Sequence, residues 1–247
     1  MKIVYSEDFK TVYSSDPASA PGRMEAILKE LRDFEFLEPE RAREEDILLV
    51  HTPSHLERVK AIPSVYSLAL LAAGGALKAS ALAFQGEPSF ALIRPPGHHA
   101  GPNSFWGFCY FNNLALSLQK LLVTGKIEKA VIVDFDLHYG DGTAAIFSGS
   151  KKVFYHHAEG SREDILHGIA SFLAKRDYDL VGVSAGFDNH EEDWGGTLTT
   201  SDYREIGRMI REAAEEKCGG KRYGVLEGGY NHSVLGKNVR AFLEGFK

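Results

Sequence analysis

Four apolar, strand-like runs in this chain pass directly into polar segments that contain glycine. The segments are Arg94-Pro95-Pro96-Gly97-His98-His99-Ala100-Gly101, Asp134-Phe135-Asp136-Leu137-His138-Tyr139-Gly140-Asp141-Gly142, Ser184-Ala185-Gly186-Phe187-Asp188-Asn189-His190 and Glu227-Gly228-Gly229-Tyr230-Asn231. In an open parallel sheet, ligands bind beyond the carboxyl ends of the strands. Parallel neighbouring strands would bring all four segments to one edge. Strand patterns fall at residues 2–5, 47–50, 90–93, 130–134, 152–155, 180–184 and 223–226. Helical patterns fall at 24–34, 55–61, 68–84, 114–123, 142–147, 163–175, 202–217 and 233–246. This alternation predicts an α/β fold: a single domain over residues 1–247, with a mainly parallel sheet and helices on both faces.

Composition narrows the function classes. The 247 residues carry a formal net charge of -6, which gives no reason to expect a nucleic-acid surface. Cys109 and Cys218 are the two cysteines, and they match no zinc-cysteine spacing and no disulfide framework. A reducing, cytoplasmic setting is expected. The N-terminal run Met1-Lys2-Ile3-Val4-Tyr5 reads as a strand and lacks a signal-peptide profile. Residues 68–84 are small and apolar but interrupted by Lys78 and Ser80, so they read as a buried helix rather than a membrane span.

Side chains along a strand alternate faces, so Asp134, Asp136 and His138 are expected to project to one side. Two carboxylates and an imidazole at the end of a buried strand are costly unless a cation neutralises them. Asp136, His138 and Asp188 form a three-ligand set suited to zinc, with a fourth position open for water. Such a metal lowers the pKa of its water from about 15.7 to about 7. The competing readings are a turn carboxylate for Asp136 and Asp188 and a satisfied core histidine for His138. His190 is a rival ligand.

His98 and His99 follow two prolines and a glycine, which stiffen and shape their approach. Such a pair can share proton transfer, one accepting from water and one donating to a leaving amine. Asp134 and Asp141 can orient them, one per histidine. Tyr230 can donate to the oxyanion of a tetrahedral intermediate. The aromatic run Ser104-Phe105-Trp106-Gly107-Phe108-Cys109-Tyr110-Phe111-Asn112 can wall a narrow substrate channel, with Phe108 the best candidate and Phe105 and Phe111 read as core.

Together these segments resemble the zinc-dependent histone deacetylases and acetylpolyamine amidohydrolases of the arginase–deacetylase fold. The matches are residues 94–100, 107–112, 134–142, 184–188 and 226–231, with weaker ones at Pro21-Gly22-Arg23, His51-Thr52-Pro53 and Ala72-Ala73-Gly74-Gly75. They run in family order along nearly the whole chain. Residues 226–231 look more like the class II and polyamine branches than class I.

The resemblance implies zinc (Zn2+) at Asp136, His138 and Asp188, and an acid–base pair in which His98 goes with Asp134 and His99 with Asp141. It implies Tyr230 as the carbonyl-polarising donor, the Gly107 carbonyl as acceptor for the substrate amide, Phe108 as tunnel wall, and Arg23 near an internal acetate exit. It further implies potassium (K+) held largely by backbone carbonyls at Asp134, Asp136 and His138. The expected partner is an acylated small amine or acyl-lysine, with no nucleic acid and no membrane.

The chain also departs from the family. Tyr139 replaces a second histidine, and the segment after Tyr155 is short and shows no second tunnel aromatic. Glu192-Asp193-Trp194-Gly195-Gly196 stands where relatives commonly carry a proline and a large apolar residue. A shallower, more open site is expected. Two other classes remain open: an arginase-like dinuclear manganese hydrolase, and a zinc-containing binding protein with little turnover.

Overall fold

A computed structural model describes residues 1–247 as seven strands and nine α-helices. The strands are β1 Lys2–Val4, β2 Glu35–Leu37, β3 Ser89–Ala91, β4 Ala130–Asp134, β5 Val153–His157, β6 Leu180–Ala185 and β7 Arg222–Leu226. The helices are α1 Arg23–Glu30, α2 Glu44–Ile47, α3 Pro53–Lys60, α4 Pro63–Phe84, α5 Asn113–Val123, α6 Asp141–Ile146, α7 Arg162–Ala174, α8 Thr200–Cys218 and α9 His232–Phe246. All pairings are parallel, and the sheet order is β2-β1-β3-β7-β6-β4-β5.

That order explains the four polar segments. Strands β3, β7, β6 and β4 are consecutive neighbours, and Ala91 pairs with Val225, Ala185 with Leu226, and Asp134 with Ser184. Their carboxyl ends therefore finish along one edge. Every residue of β4, β6 and β7 is buried, because helices cover both faces. Helices α4 and α5 pack together on the sheet, while α1, α7, α8 and α9 form a second packed group. Helix α4 is long and apolar enough to cross a membrane by length and composition, yet it packs against α5 and strands β1, β3 and β7.

Two expectations at the N-terminal side are corrected. Residues 47–50 are not a strand: Glu44–Ile47 form α2, and Leu48, Leu49 and Val50 continue its turn through bonds to Glu44, Asp46 and Ile47 carbonyls. The missing strand is β2, in a segment whose first residue follows the helical pattern at 24–34 directly. Helix α1 stops at Glu30 instead, and the three residues of β2 pair with β1 at the sheet edge.

His51 joins the frame to the site. Its Nδ1 donates to the Gly101 carbonyl at 2.8 Å, and its Nε2 accepts Asn112 N–H at 2.9 Å, which fixes a neutral imidazole. Asn112 in turn donates to Ala100 O and Thr143 Oγ1, on the segments carrying His99 and Asp141. Burial, and then the ring of His55 stacked at 4.2 Å, pull the His51 pKa down to about 3. Below about pH 6.5 the unfolded chain binds a proton that the folded chain refuses. Stability from this site is full above that pH and falls as pH drops toward the folded value. Between pH 7 and pH 5 the expected loss is about 2 kcal/mol from this histidine alone. Urea unfolding at both pH values should show a smaller pH effect in His51→Asn than in the parent. An equal effect would remove His51 from the acid response.

Candidate metal centre and catalytic pocket

Strand β4 ends at Asp134, and the chain turns immediately afterwards. Asp136 and His138 are therefore not strand residues, although the carboxylates of Asp134 and Asp136 both reach the His98 ring, at 3.2 and 3.7 Å. Asp136 and His138 instead lie in the turn, where His138 N–H donates to Asp136 Oδ1 at 2.9 Å and Asp136 N–H to Asp134 Oδ1 at 3.1 Å. Asp188 arrives from the loop after β6 and accepts Leu137 N–H on Oδ1 at 3.1 Å. The donor atoms of Asp136, His138 and Asp188 lie within 4.8 Å of one another. Asp134 is not one of this group; its Oδ2 instead lies 3.2 Å from His98 Nδ1.

The chemistry of this trio fits a divalent cation. Asp136 and Asp188 are buried side by side, and Asp188 Oδ2 has no hydrogen-bond partner. His138 Nδ1 lies 3.2 Å from that oxygen and 3.3 Å from Asp136 Oδ1. Burial, and then Asp136, push the Asp188 carboxyl up to about 6, while the adjacent carboxylates of Asp136 and Asp188 raise His138 to about 10. A divalent cation would bind all three donors at once and displace a proton held among them. His190 is excluded as a ligand. Its Nδ1 accepts Glu192 N–H at 3.1 Å and its Nε2 faces Thr200 Oγ1 at 3.3 Å.

Glycines make room for the carboxylates. A Cβ on Gly228 would stand 2.6 Å from Asp136 Oδ2 and 2.7 Å from Asp188 Oδ2, and its N–H donates to that Asp136 oxygen at 2.8 Å. Gly228→Ala is expected to weaken zinc affinity by about 10–100-fold, the range seen when an outer-shell partner of a ligand is lost. Competition with a chromogenic chelator checks this, and unchanged affinity would show that the carboxylates move aside freely.

The two histidines are backed as the resemblance implied. His98 Nδ1 is 3.2 Å from Asp134 Oδ2, and His99 Nδ1 is 2.7 Å from Asp141 Oδ1. Both rings are buried, and their centroids are 4.1 Å apart. Burial alone would lower the pKa of His98, but Asp136 and then Asp134 outweigh it and hold it up. For His99 burial prevails, helped by His98, and its pKa is lowered. Tyr155, from β5, donates to Asp134 Oδ2 at 2.9 Å and accepts Gly140 N–H at 3.0 Å.

Tyr230, Phe108, Gly107, His98, His99 and His138 line one cavity of about 110 Å³ with Pro96, Gly228 and two indoles. Gly107 and Phe108 both adopt positive φ, at 56° and 67°. A Cβ on Gly107 would come within 2.4 Å of His99 Cδ2, so this close approach to the ring requires glycine. Phe111 is core, and Phe105 packs edge-on to His55. Tyr139 is exposed and packs against Tyr155, away from the trio.

Sequence reasoning missed three contributors. Trp106 lies 4.1 Å from the His99 ring and donates to Asp141 Oδ2 at 2.9 Å. Trp194 stacks on Tyr230 at 4.0 Å and supplies a second aromatic wall, which the sequence reading had not found. These indoles are 54% and 53% exposed, so they form the rim of the pocket. Glu227 is fully buried and accepts Gly97 N–H at 2.7 Å and His98 N–H at 3.2 Å. A charged residue inside a glycine run next to Tyr230 was the available signal for it. Arg23 is buried against the same turn, donating to the carbonyls of Gly229 at 2.9 Å and Glu227 at 2.6 Å.

The family model described as the histone deacetylase domain matches residues 17–165 and 162–246. The chain belongs to the histone deacetylase family. Its relatives include a probable deacetylase of Methanothermobacter thermautotrophicus, 28% identical over an alignment spanning 99% of this chain and 90% of the relative. A probable deacetylase of Archaeoglobus fulgidus is 34% identical, covering 79% and 69%. A histone deacetylase-like amidohydrolase of Pseudomonas aeruginosa is 30% identical, covering 78% and 66%. The crystal structure of the HDA15 HD domain superposes with a TM-score of 0.87 at 24% identity, covering 100% of this chain and 90% of that one, which establishes the shared fold. This histone deacetylase family member is thus a deacetylase or amidohydrolase by family, and that family is zinc-dependent.

Proposed function

We propose that this protein is a zinc-dependent amidohydrolase that removes short acyl groups from amines. The observation carrying this reading is the single cavity shared by His138 of the trio, the two carboxylate-backed histidines and Tyr230. Asp136, His138 and Asp188 would hold the zinc. When bound, zinc supplies Lewis acidity and an activated water near neutral pH.

The chain's own residues do the remaining work. His99, whose pKa burial lowers, takes a proton from the attacking water. Asp141 fixes its tautomer by accepting from Nδ1. His98, backed by Asp134, works with His99 to return a proton to the leaving amine. The Tyr230 hydroxyl donates to the developing oxyanion. The Gly107 carbonyl accepts the substrate amide N–H, and Phe108 flanks the chain leading to it. Potassium at the carbonyls of Asp134, Asp136 and His138 belongs to the same proposal, as does a cytoplasmic setting in which Cys109 and Cys218 stay free thiols.

The partner proposed is a small acylated amine or an acyl-lysine. The cavity measures about 110 Å³, well below the roughly 300–1,000 Å³ of pockets that take drug-sized ligands. It suits a short acyl group. Zinc-loaded protein should be screened against acetyl-lysine peptides and acetylpolyamines, each also as its hexanoyl counterpart. Acetyl substrates should turn over with kcat/KM at least about 10-fold above hexanoyl ones. Absence of turnover on every amide, with hydroxamate binding intact, would favour a binding protein instead.

A further inference from the structure

The loop from Asp188 to Leu198 does more than deliver a ligand. Asp193 Oδ2 accepts both the Tyr230 N–H at 2.8 Å and the Asn231 N–H at 2.7 Å. Its other oxygen accepts Trp194 N–H at 2.9 Å. Asn231 Nδ2 donates back to the Glu192 carbonyl at 2.6 Å. The Trp194 indole lies on the Tyr230 ring, 4.0 Å between centroids and 26° between planes, with its edge toward His138. Gly195 N–H then donates to the Asp188 carbonyl at 2.8 Å. One short loop therefore ties the metal ligand Asp188 to the face and the backbone of Tyr230.

Tyr230 needs such a hold. It follows Gly228 and Gly229, the latter at a φ of 118°, so its own backbone lends little stiffness. The carboxylate of Asp193 also lies at the N-terminus of α9, whose N-cap is Asn231, where the helix dipole favours a negative charge. We infer that Asp193 and Trp194 are positioning residues that clamp Tyr230 in its working orientation. This rests on the assignment of Tyr230 as the oxyanion donor.

The test uses the full chain and substitutes Asp193→Ala, Asp193→Asn and Trp194→Leu, each alone and together with Tyr230→Phe. Asp193→Ala should lower kcat about 10–100-fold with KM and zinc content little changed, the scale of a displaced catalytic group. Asp193→Asn, which keeps an acceptor oxygen, should lose less. In the Tyr230→Phe background the same substitutions should cost less than about twofold, because the hydroxyl they position is gone. A merely structural loop would lose equally in both backgrounds, and that result overturns the proposal.

A second readout needs no turnover. The chain has two tryptophans, so Trp106→Phe leaves Trp194 as the sole indole. Adding Asp193→Ala should change the Trp194 fluorescence lifetime as the indole leaves the tyrosine ring; an unchanged lifetime also overturns the clamp. Should no acyl amide turn over, the functional assignment fails while the fluorescence result still decides the clamp.

Discussion

Tyr230→Phe is expected to keep its zinc and lose about 10²–10³-fold in kcat, equivalent to about 2.7–4 kcal/mol of transition-state stabilisation. Burial, and then the nearby Asp136 and Asp188, push the Tyr230 phenol far above its ordinary pKa. It is therefore a neutral donor at any working pH, able to give a hydrogen bond to an oxyanion without losing its proton. The phenyl ring of the variant keeps the stack on Trp194 and the edge-on packing with Phe108. Substrate binding and KM should change little. Steady-state kinetics with a parallel zinc assay checks both halves, and an unchanged kcat would remove the tyrosine from the mechanism.

Asp188→Asn is expected to raise the zinc dissociation constant by at least about 100-fold, the upper end of what losing an outer-shell partner costs. The asparagine keeps the oxygen that accepts Leu137 N–H, so the loop should remain in place. What changes is Oδ2, the buried oxygen without a partner, which becomes neutral. Zinc per chain after dialysis against a chelating buffer measures the effect. Full retention would mean that Asp136 and His138 suffice with some other donor. His190 is not that donor, since Glu192 N–H and Thr200 Oγ1 occupy its two nitrogens.

The arginase-like alternative meets the same geometry. A dinuclear centre needs further carboxylates facing the metal, yet Asp134 is paired with His98 and Asp141 with His99. Asp136, His138 and Asp188 stand as a group of three donors.

Much of this site was legible because each functional segment follows an apolar strand. Asp134, Asp188 and Tyr230 are all read off strand ends that hydrophobic runs announce, and the sheet order then makes β3, β7, β6 and β4 neighbours. The strand itself does not extend past Asp134, for a local reason. Backbone donors at Asp136 and His138 turn inward onto the carboxylates of Asp134 and Asp136, and bend the chain out of β geometry. Strand β2 was hidden because its three residues follow a helical pattern and gain their identity from pairing with β1. Residues 47–50 misled in the opposite sense, since a run of Ile and Leu satisfies a strand pattern and a helical turn alike. Trp194 could not be placed on the pocket from sequence. Its contact with Tyr230 bridges two loops that only the folded sheet edge brings together.

The central claim is that three side chains from two loops hold one zinc beside His98, His99 and Tyr230. Anomalous diffraction at the zinc edge, from crystals of the zinc-loaded protein, tests it most directly. The account predicts one peak per chain, bonded at about 2.0–2.2 Å to Asp136, His138 Nδ1 and Asp188. No peak at that position, or two metal peaks sharing bridging carboxylates there, would contradict it.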